Sequence, residues 1–185
     1  LAGIAVSALF SSGVGLLKYV ADPLKQLPEI TFWLLGGLWS VTWSELFYVA
    51  LIVLPALVVI WLMRWRLNLL SLSDETAFSL GVSTGRERTL LLVASVAATA
   101  AVVAVAGIVG WIGLIVPHIA RRVMGTDAQN SLPASILIGG IFALLCDDIA
   151  RTAYVGEIPL GILTSLSGAV LFAGMMMSHT QRSRR

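Results

Sequence analysis

The sequence has 185 residues, of which 58% are hydrophobic and 12% are charged, and its mean hydropathy is +0.93. A soluble domain carries about 25% charged residues, so this composition excludes an ordinary soluble enzyme, a disordered chain and a disulfide scaffold, and it indicates an integral membrane protein. The net charge of +2 does not indicate a nucleic-acid partner, because the basic residues lie in short segments between apolar runs. The single cysteine, Cys146, allows no intrachain disulfide.

The chain begins at Leu1 inside an apolar run, with no charged segment of a signal peptide before it, so we expect a natural beginning upstream. A bilayer core requires roughly 20 apolar helical residues. Six runs approach that length, which predicts an all-α polytopic bundle of about six spans: 1–20, 45–63, 89–107, 109–123, 133–155 and 160–178.

Two places along these runs allow alternatives. Gly107, Gly110 and Gly113 favour a tight reversal between the third and fourth runs, whereas the alternative is one long tilted helix. The segment 30–43 is apolar but too short to cross, and it contains three tryptophans. It is either an interfacial or re-entrant segment or a packed loop.

Small residues form a stripe along the first run at a spacing of four: Gly3, Ser7, Ser11 and Gly15. The last run repeats the pattern with Gly161, Ser165, Ala169 and Ala173. Such a face either packs closely against another helix or lines a pathway wide enough for a bulky solute. The spacing does not separate these two interpretations.

The segment 64–88 is the longest polar connection, and it predicts a short helix. Ser73 is a good N-cap, Thr76 and Ala77 fall inside the helix, and Gly81 ends it. An apolar side formed by Leu72, Phe78 and Leu80 would either dock into a partner's groove or lie on the membrane surface.

Four ionisable or kink-forming positions carry structural and functional alternatives. Pro117 kinks the fourth run, and His118 after it is better explained as a structural residue than as a metal ligand, because no second histidine is near. Asp147 and Arg151 are four residues apart on a helix, which predicts an ion pair near one membrane interface. We therefore predict no metal site.

Orientation follows from the basic residues. Nine of the twelve fall in 64–88, in 121–131 and in the C-terminal tail, whereas Lys18, Lys25 and Arg151 fall on the other side. The excess predicts that the first three segments, and with them the C-terminus, are cytoplasmic. The sequence contains no phosphate-binding loop and no hydrolase or zinc-protease motif. The chain is therefore predicted not to be an enzyme and to bind no cofactor.

The segment GIVGWIGLIVPHIARRVMGTD (107–127) resembles the signature of FecCD-type permeases, the membrane subunits of iron-siderophore, haem and vitamin B12 ABC importers. Residues 1–12, 66–83 and 146–172 resemble a pathway span, the coupling region and the closing span pair of that family, so that the resemblance covers essentially the whole chain. It implies signature residues at Gly110, Gly113, Pro117, His118 and Arg121. It implies ATPase-coupling residues at Leu72, Ser73, Asp74, Glu75, Ala77, Leu80 and Gly81.

The resemblance also implies an assembly. The chain would form one permease domain over 1–185, roughly the second half of a ten-span subunit of the inner membrane, with the coupling helix in 64–88. A second permease copy, two cytoplasmic ATPase subunits that use ATP, and an extracytoplasmic binding protein would complete the importer. The alternatives are an ion-coupled secondary transporter or a channel subunit, which would require a charge near the bilayer midplane, and a non-transporting scaffold.

Overall fold

The computed structural model describes residues 2–153 and 156–182, and all its regular elements in those ranges are α-helices. In chain order they are α1 (Ala2–Val20), α2 (Gln26–Leu35), α3 (Trp43–Leu62), α4 (Arg64–Leu70), α5 (Asp74–Ser79), α6 (Thr84–Ala106), α7 (Ile112–Met124), α8 (Ala128–Thr152) and α9 (Leu160–Arg182). The predicted all-α polytopic architecture is confirmed.

Four of these helices, α1, α3, α6 and α8, are long and apolar enough to cross a membrane. Helix α9 adds the shorter apolar stretch Leu160–Met175. Helix α7 has 13 residues, a length of about 20 Å, which falls short of a bilayer core of about 30 Å. The six predicted runs therefore correspond to six helices, of which the fourth is shorter than a complete span.

Several helix boundaries differ from the prediction because side-chain caps move them. Helix α3 begins at Trp43, two residues early, since Thr42 and Glu45 form a reciprocal capping box. Helix α8 begins at Ala128 because the Asp127 side chain accepts a hydrogen bond from the backbone N–H of Gln129. The predicted end of this run reaches residues 154 and 155, which lie outside the described ranges.

The chain breaks where the glycines predicted a break, since α6 ends at Ala106 and α7 starts at Ile112. One long helix through this region is thereby excluded. The segment 30–43 divides into the end of α2 and a loop that leads to α3. At ten residues α2 is too short to cross a bilayer. It begins at Gln26, four residues before the segment that the sequence singled out.

Helices α3 and α6 form the most extensive pair, and α7, α8 and α9 form a second group that α4 joins through α8. The interfaces are built largely from small residues, with Ala56 and Ala94 buried between α3 and α6, and Ala120, Ala134 and Ala150 buried around α8. Small residues let helix backbones approach closely, which is how helices pack in lipid.

Large apolar side chains point outward along most of the bundle. The accessible surface is 13092 Å², whereas a compact soluble protein of 19.7 kDa would expose about 8,600 Å². Tyr19, Leu24 and Trp43 are each at least 87% exposed. A surface of this size and character fits lipid and further protein as its surroundings rather than water.

Candidate functional site

Helix α5 is capped at both ends by its own sequence. The Ser73 hydroxyl accepts a hydrogen bond from the backbone N–H of Thr76 at 3.4 Å, as predicted for an N-cap. At the other end, Gly81 takes a left-handed φ of +80°. There its N–H donates to Phe78 O at 2.9 Å and the N–H of Val82 donates to Ala77 O at 3.1 Å. These two bonds form a Schellman motif, so the predicted short helix and its glycine stop are confirmed.

The apolar side chains of α5 divide into a buried and an exposed set. Ala77 and Val82 are buried beneath the helix. Leu72, Phe78 and Leu80 are 43%, 77% and 57% exposed, and we call these three residues the apolar tip. Ala77, which also belongs to the predicted coupling set, differs from the apolar tip. Its side chain has no exposed surface and holds α5 in place, whereas the apolar tip is open to a partner.

Two ion pairs fix α5 and the preceding helix against α6. Asp74 in the first turn of α5 accepts from Arg88 of α6 at 3.2 Å, and Arg66 of α4 pairs with Glu87 of α6. Both arginines are about half exposed, so each pair contributes little free energy but sets the orientation of the two short helices. Glu75, the remaining acidic residue of the predicted coupling set, lies exposed on α5.

Asn68 of α4, which the sequence analysis did not single out, joins this region to helix α8. Its Nδ2 donates to Asp127 Oδ1 at 2.7 Å, and its Oδ1 accepts from the N–H of Ala128 at 2.8 Å. The N–H of Gln129 and, next, the Asn68 amide hold the pKa of Asp127 below its usual value. These residues are far apart in sequence and meet only in the folded chain, so no local sequence pattern predicts the contact.

At another point of the bundle, Gly36, Gly107 and Gly161 meet where α2 ends, α6 passes into α7, and α9 begins. A Cβ on Gly36 would lie 2.5 Å from Ile108 O, and one on Gly161 would lie 2.8 Å from the same oxygen and closer still to Leu35 O. The N–H of Gly37 donates to Ala106 O at 2.8 Å across this contact. We call it the glycine junction. The backbones touch directly because no side chain separates them.

Beside the junction, Trp111 precedes α7 with a left-handed φ of +68°, a conformation that costs a non-glycine residue of order 1 kcal/mol or more. Its ring packs edge-on against Phe172 of α9, with the centroids 6.1 Å apart. A Cβ on Gly168 would lie 2.6 Å from the Cβ of Trp111. Gly168 therefore makes room for the tryptophan.

Helices α2, α7 and α9 border a widely open apolar cavity of about 890 Å³ next to the junction. Gly161, Ser165 and Ala169 of the predicted α9 stripe line it. The close packing of α9 instead uses Thr164 and Gly168, which are buried. Of the four stripe residues, Gly161 therefore belongs to the glycine junction, Ser165 and Ala169 form a wall of the cavity, and Ala173 is exposed.

The α1 stripe faces no other helix of the described chain closely. Gly3, Ser7, Ser11 and Gly15 are all exposed, and a Cβ added to either glycine would meet no atom within 4 Å. Close packing of this face against another helix of the described chain is therefore excluded, and the two interpretations of the stripe both stay predictions. The face is free to line a pathway or to meet another chain.

The signature residues surround α7 without forming one cluster. Gly110 faces Ser165 of α9, 3.7 Å from where its Cβ would lie, and Gly113 has open space. Pro117 lies inside α7, while His118 and Arg121 are exposed on it. No group of three or more potential metal-ligating side chains occurs in 2–153 and 156–182.

The predicted pair on α8 is confirmed, since Arg151 Nε donates to Asp147 Oδ2 at 2.8 Å. It lies about five to seven turns along α8 from the Asn68 contact, so that the two features mark opposite ends of one helix. Ordinary helix geometry accounts for the pair, and it needs no ligand.

An all-helical membrane protein with a capped helical connection at one end is the class that the fold and this geometry define. The chain belongs to the FecCD transport family, which matches residues 1–178. The resemblance seen in the sequence is thereby confirmed.

Individual relatives agree with this membership. The chain is 41% identical over 93% of its length to the molybdate import system permease protein MolB of Haemophilus influenzae, covering 51% of that protein. It is 39% identical over its full length to the hemin transport system permease protein HmuU of Yersinia pestis, covering 55% of it. A solved chain assigned to the metal-chelate type of ABC transporter, in an inward-facing conformation, superposes with a TM-score of 0.92 at 39% identity, over 95% of this chain and 57% of that one. The chain thus spans about half the length of the relatives it matches.

Proposed function

We propose that this chain is part of the membrane-spanning permease of an ATP-driven importer. The family match over residues 1–178 is the observation that carries the proposal. The geometry of α5 supports it, because a short helix capped at both ends and held by ion pairs presents the apolar tip to whatever lies beyond the membrane surface. A cytoplasmic ATPase that covers the tip would bury apolar area and grip the permease.

The proposed cargo is a metal chelate such as a ferric siderophore, haem or cobalamin. The names of the relatives support this range, since they include a hemin system, an Fe(3+) dicitrate system of Escherichia coli and a molybdate system. A binding protein on the outer face would supply much of the selectivity. Because one relative belongs to a molybdate system, molybdate should be tested beside the chelates.

The proposed orientation places α4, α5 and the C-terminus in the cytoplasm of a cell with the chain in its inner membrane. The nine-to-three distribution of basic residues supports it. Cysteines introduced at Glu75 and Lys25, in a Cys146→Ser background, test it with a membrane-impermeant thiol reagent on intact cells. We expect labelling at Lys25→Cys alone, and labelling at Glu75→Cys alone would reverse the orientation.

In the proposed mechanism, ATP closes two partner ATPases against each other, their motion displaces α5, and the attached spans tilt so that the pathway opens alternately to each side. The partner hydrolyses ATP, and this chain binds no cofactor. The exposed α1 stripe is the proposed pathway wall, shared with a second permease copy. Its small side chains leave room for a bulky chelate.

Docking at the apolar tip is tested by substitution of its most exposed member. Phe78→Asp puts a charge into the contact and should abolish co-purification of the ATPase, whereas the matched variant Phe78→Leu keeps an apolar side chain and should retain it. Phe78 is 77% exposed, so neither change disturbs the buried packing of α5. Equal ATPase recovery with both variants would exclude the tip as the docking surface.

A further inference from the structure

The side chain of Asn68 uses both ends of its amide to hold the start of helix α8. The N–H of Ala128 can only donate, so the amide oxygen faces it at 2.8 Å. The amide nitrogen then donates to the Asp127 carboxylate, an acceptor, at 2.7 Å. The chemistry of the two partners fixes the orientation of the amide, and the pair of bonds holds α8 both in position and in angle. We call this contact the Asn68 clamp.

Capping of α8 does not require the clamp. Asp127 already caps the helix by accepting from the N–H of Gln129 at 2.9 Å. The clamp instead joins Asn68 to two partners that lie 59 and 60 positions further along the sequence. It therefore adds a connection between elements to a helix terminus that is stable in its own right.

Helix α4, which carries Asn68, leads directly into α5 through residues 71–73. A displacement of α5 is therefore passed on to α4. Helix α8 has 25 residues, a length of about 37 Å, which is enough to cross the bilayer and reach the Asp147–Arg151 pair. Helix α7 packs along it.

We propose that Asn68 is a positioning residue that transmits the movement of α5 to helix α8, and through α8 to the far side of the membrane. The inference rests on the proposed function, since the movement at α5 originates in the partner ATPase. The ion pairs Asp74–Arg88 and Arg66–Glu87 hold the same two short helices to α6. Helices α4 and α5 are thus held between two spans, and the clamp is a hydrogen-bonded link to α8 within the packing of α4 on that helix.

A charge swap tests the clamp. Asn68→Asp sets two carboxylates against each other and should break it. In the double variant Asn68→Asp with Asp127→Asn, the new amide at position 127 donates to the new carboxylate at position 68, which still accepts from the N–H of Ala128. In the wild type one oxygen, Asp127 Oδ1, accepts from both Asn68 Nδ2 and the N–H of Gln129. The new amide must therefore turn about its terminal torsion, so that its oxygen caps the helix at Gln129 and its nitrogen faces position 68. Asn130→Asp, on the exposed first turn of α8, is the matched control for added charge.

The first measurement is hydrogen–deuterium exchange of the purified permease without ATPase. Loss of the clamp should accelerate amide exchange at residues 128–131 about five-fold in Asn68→Asp, and the swap and Asn130→Asp should keep the wild-type rate. Equal rates in all four proteins would overturn the clamp itself, whatever the chain transports.

The second measurement repeats the exchange in the reconstituted complex with and without ATP and vanadate. The wild type and the swap should respond both at 74–82 and at 128–131. Asn68→Asp should respond at 74–82 alone, with unchanged ATPase recovery, which a merely structural role would not produce. A response of α8 in Asn68→Asp would refute transmission through Asn68. Absence of any response at 74–82 in the wild type would refute ATPase docking and the transmission that depends on it.

Discussion

Gly161 is the residue whose replacement tests the glycine junction most sharply. In Gly161→Ala, the added methyl group would lie 2.8 Å from Ile108 O and closer to Leu35 O. Both neighbours are backbone carbonyls, which cannot turn aside as a flexible side chain can. The methyl group is accommodated only if α2, the 107–111 turn or the start of α9 moves.

The magnitude follows from the cost of overpacking and from a matched substitution on the same helix. Extra methylene groups in a packed interior cost about 1–3 kcal/mol, and we expect that loss for Gly161→Ala. Gly174→Ala on α9 meets no atom within 4 Å and gains up to about 1 kcal/mol of helix propensity. The two variants have the same composition but should differ by about 2 kcal/mol or more.

Equilibrium unfolding in mixed micelles, followed by circular dichroism as the fraction of denaturing detergent rises, measures this difference. The midpoint of Gly161→Ala should fall well below the wild type, and that of Gly174→Ala should equal or exceed it. If Gly161→Ala is as stable as Gly174→Ala, the backbones do not meet at the junction as described.

Three further predictions concern the α5 end and the pathway. Gly81→Val should cost about 1–2 kcal/mol locally through the left-handed φ of this position, and it should uncouple ATP hydrolysis from uptake at unchanged membrane levels. Gly85→Val, at a helical glycine with open space around it, should leave the two coupled, and equal coupling in both variants would contradict this prediction. The pKa of Asp127 is lowered in the folded state, so the carboxylate stabilises the fold fully above the ordinary pKa of 3.8, and this stabilisation is lost as pH falls through the lowered pKa. Asp127→Asn should therefore reduce the loss of unfolding free energy at acid pH. An unchanged dependence of stability on acid pH would refute this. Ser11→Trp should block uptake without loss of ATPase recovery, and unimpaired uptake would remove α1 from the pathway.

The elements were largely predictable from local patterns. Apolar runs located the long helices, and the glycines located the break before α7, because a membrane imposes both length and composition on a span. Helix α5 followed from Ser73 and Gly81, whose capping chemistry acts within a few residues. These features depend on neighbours in sequence, and a sequence displays them directly.

The contacts that build the site depend on distant residues, and the sequence did not reveal them. Asn68 meets Asp127 across 59 positions, and Gly168 is needed only because Trp111 lies against it. The spacing of the α9 stripe left open whether its residues pack or line a space, and in the structure Ser165 and Ala169 face a cavity while Thr164 is buried. Ala77 looked like a docking residue, although its small size serves the packing beneath α5.

ATP-driven accumulation in proteoliposomes distinguishes the permease of an ATP-driven importer from an ion-coupled transporter. The protein is reconstituted with its ATPase and binding protein, and ferric citrate, a ferric hydroxamate, haem, cobalamin and molybdate are offered with and without internal ATP. We expect at least one compound to accumulate only when both ATP and the ATPase are present. Phe78→Asp should abolish this accumulation, and Phe78→Leu should preserve it. Accumulation driven by a proton gradient without the ATPase would contradict the account and identify an ion-coupled transporter.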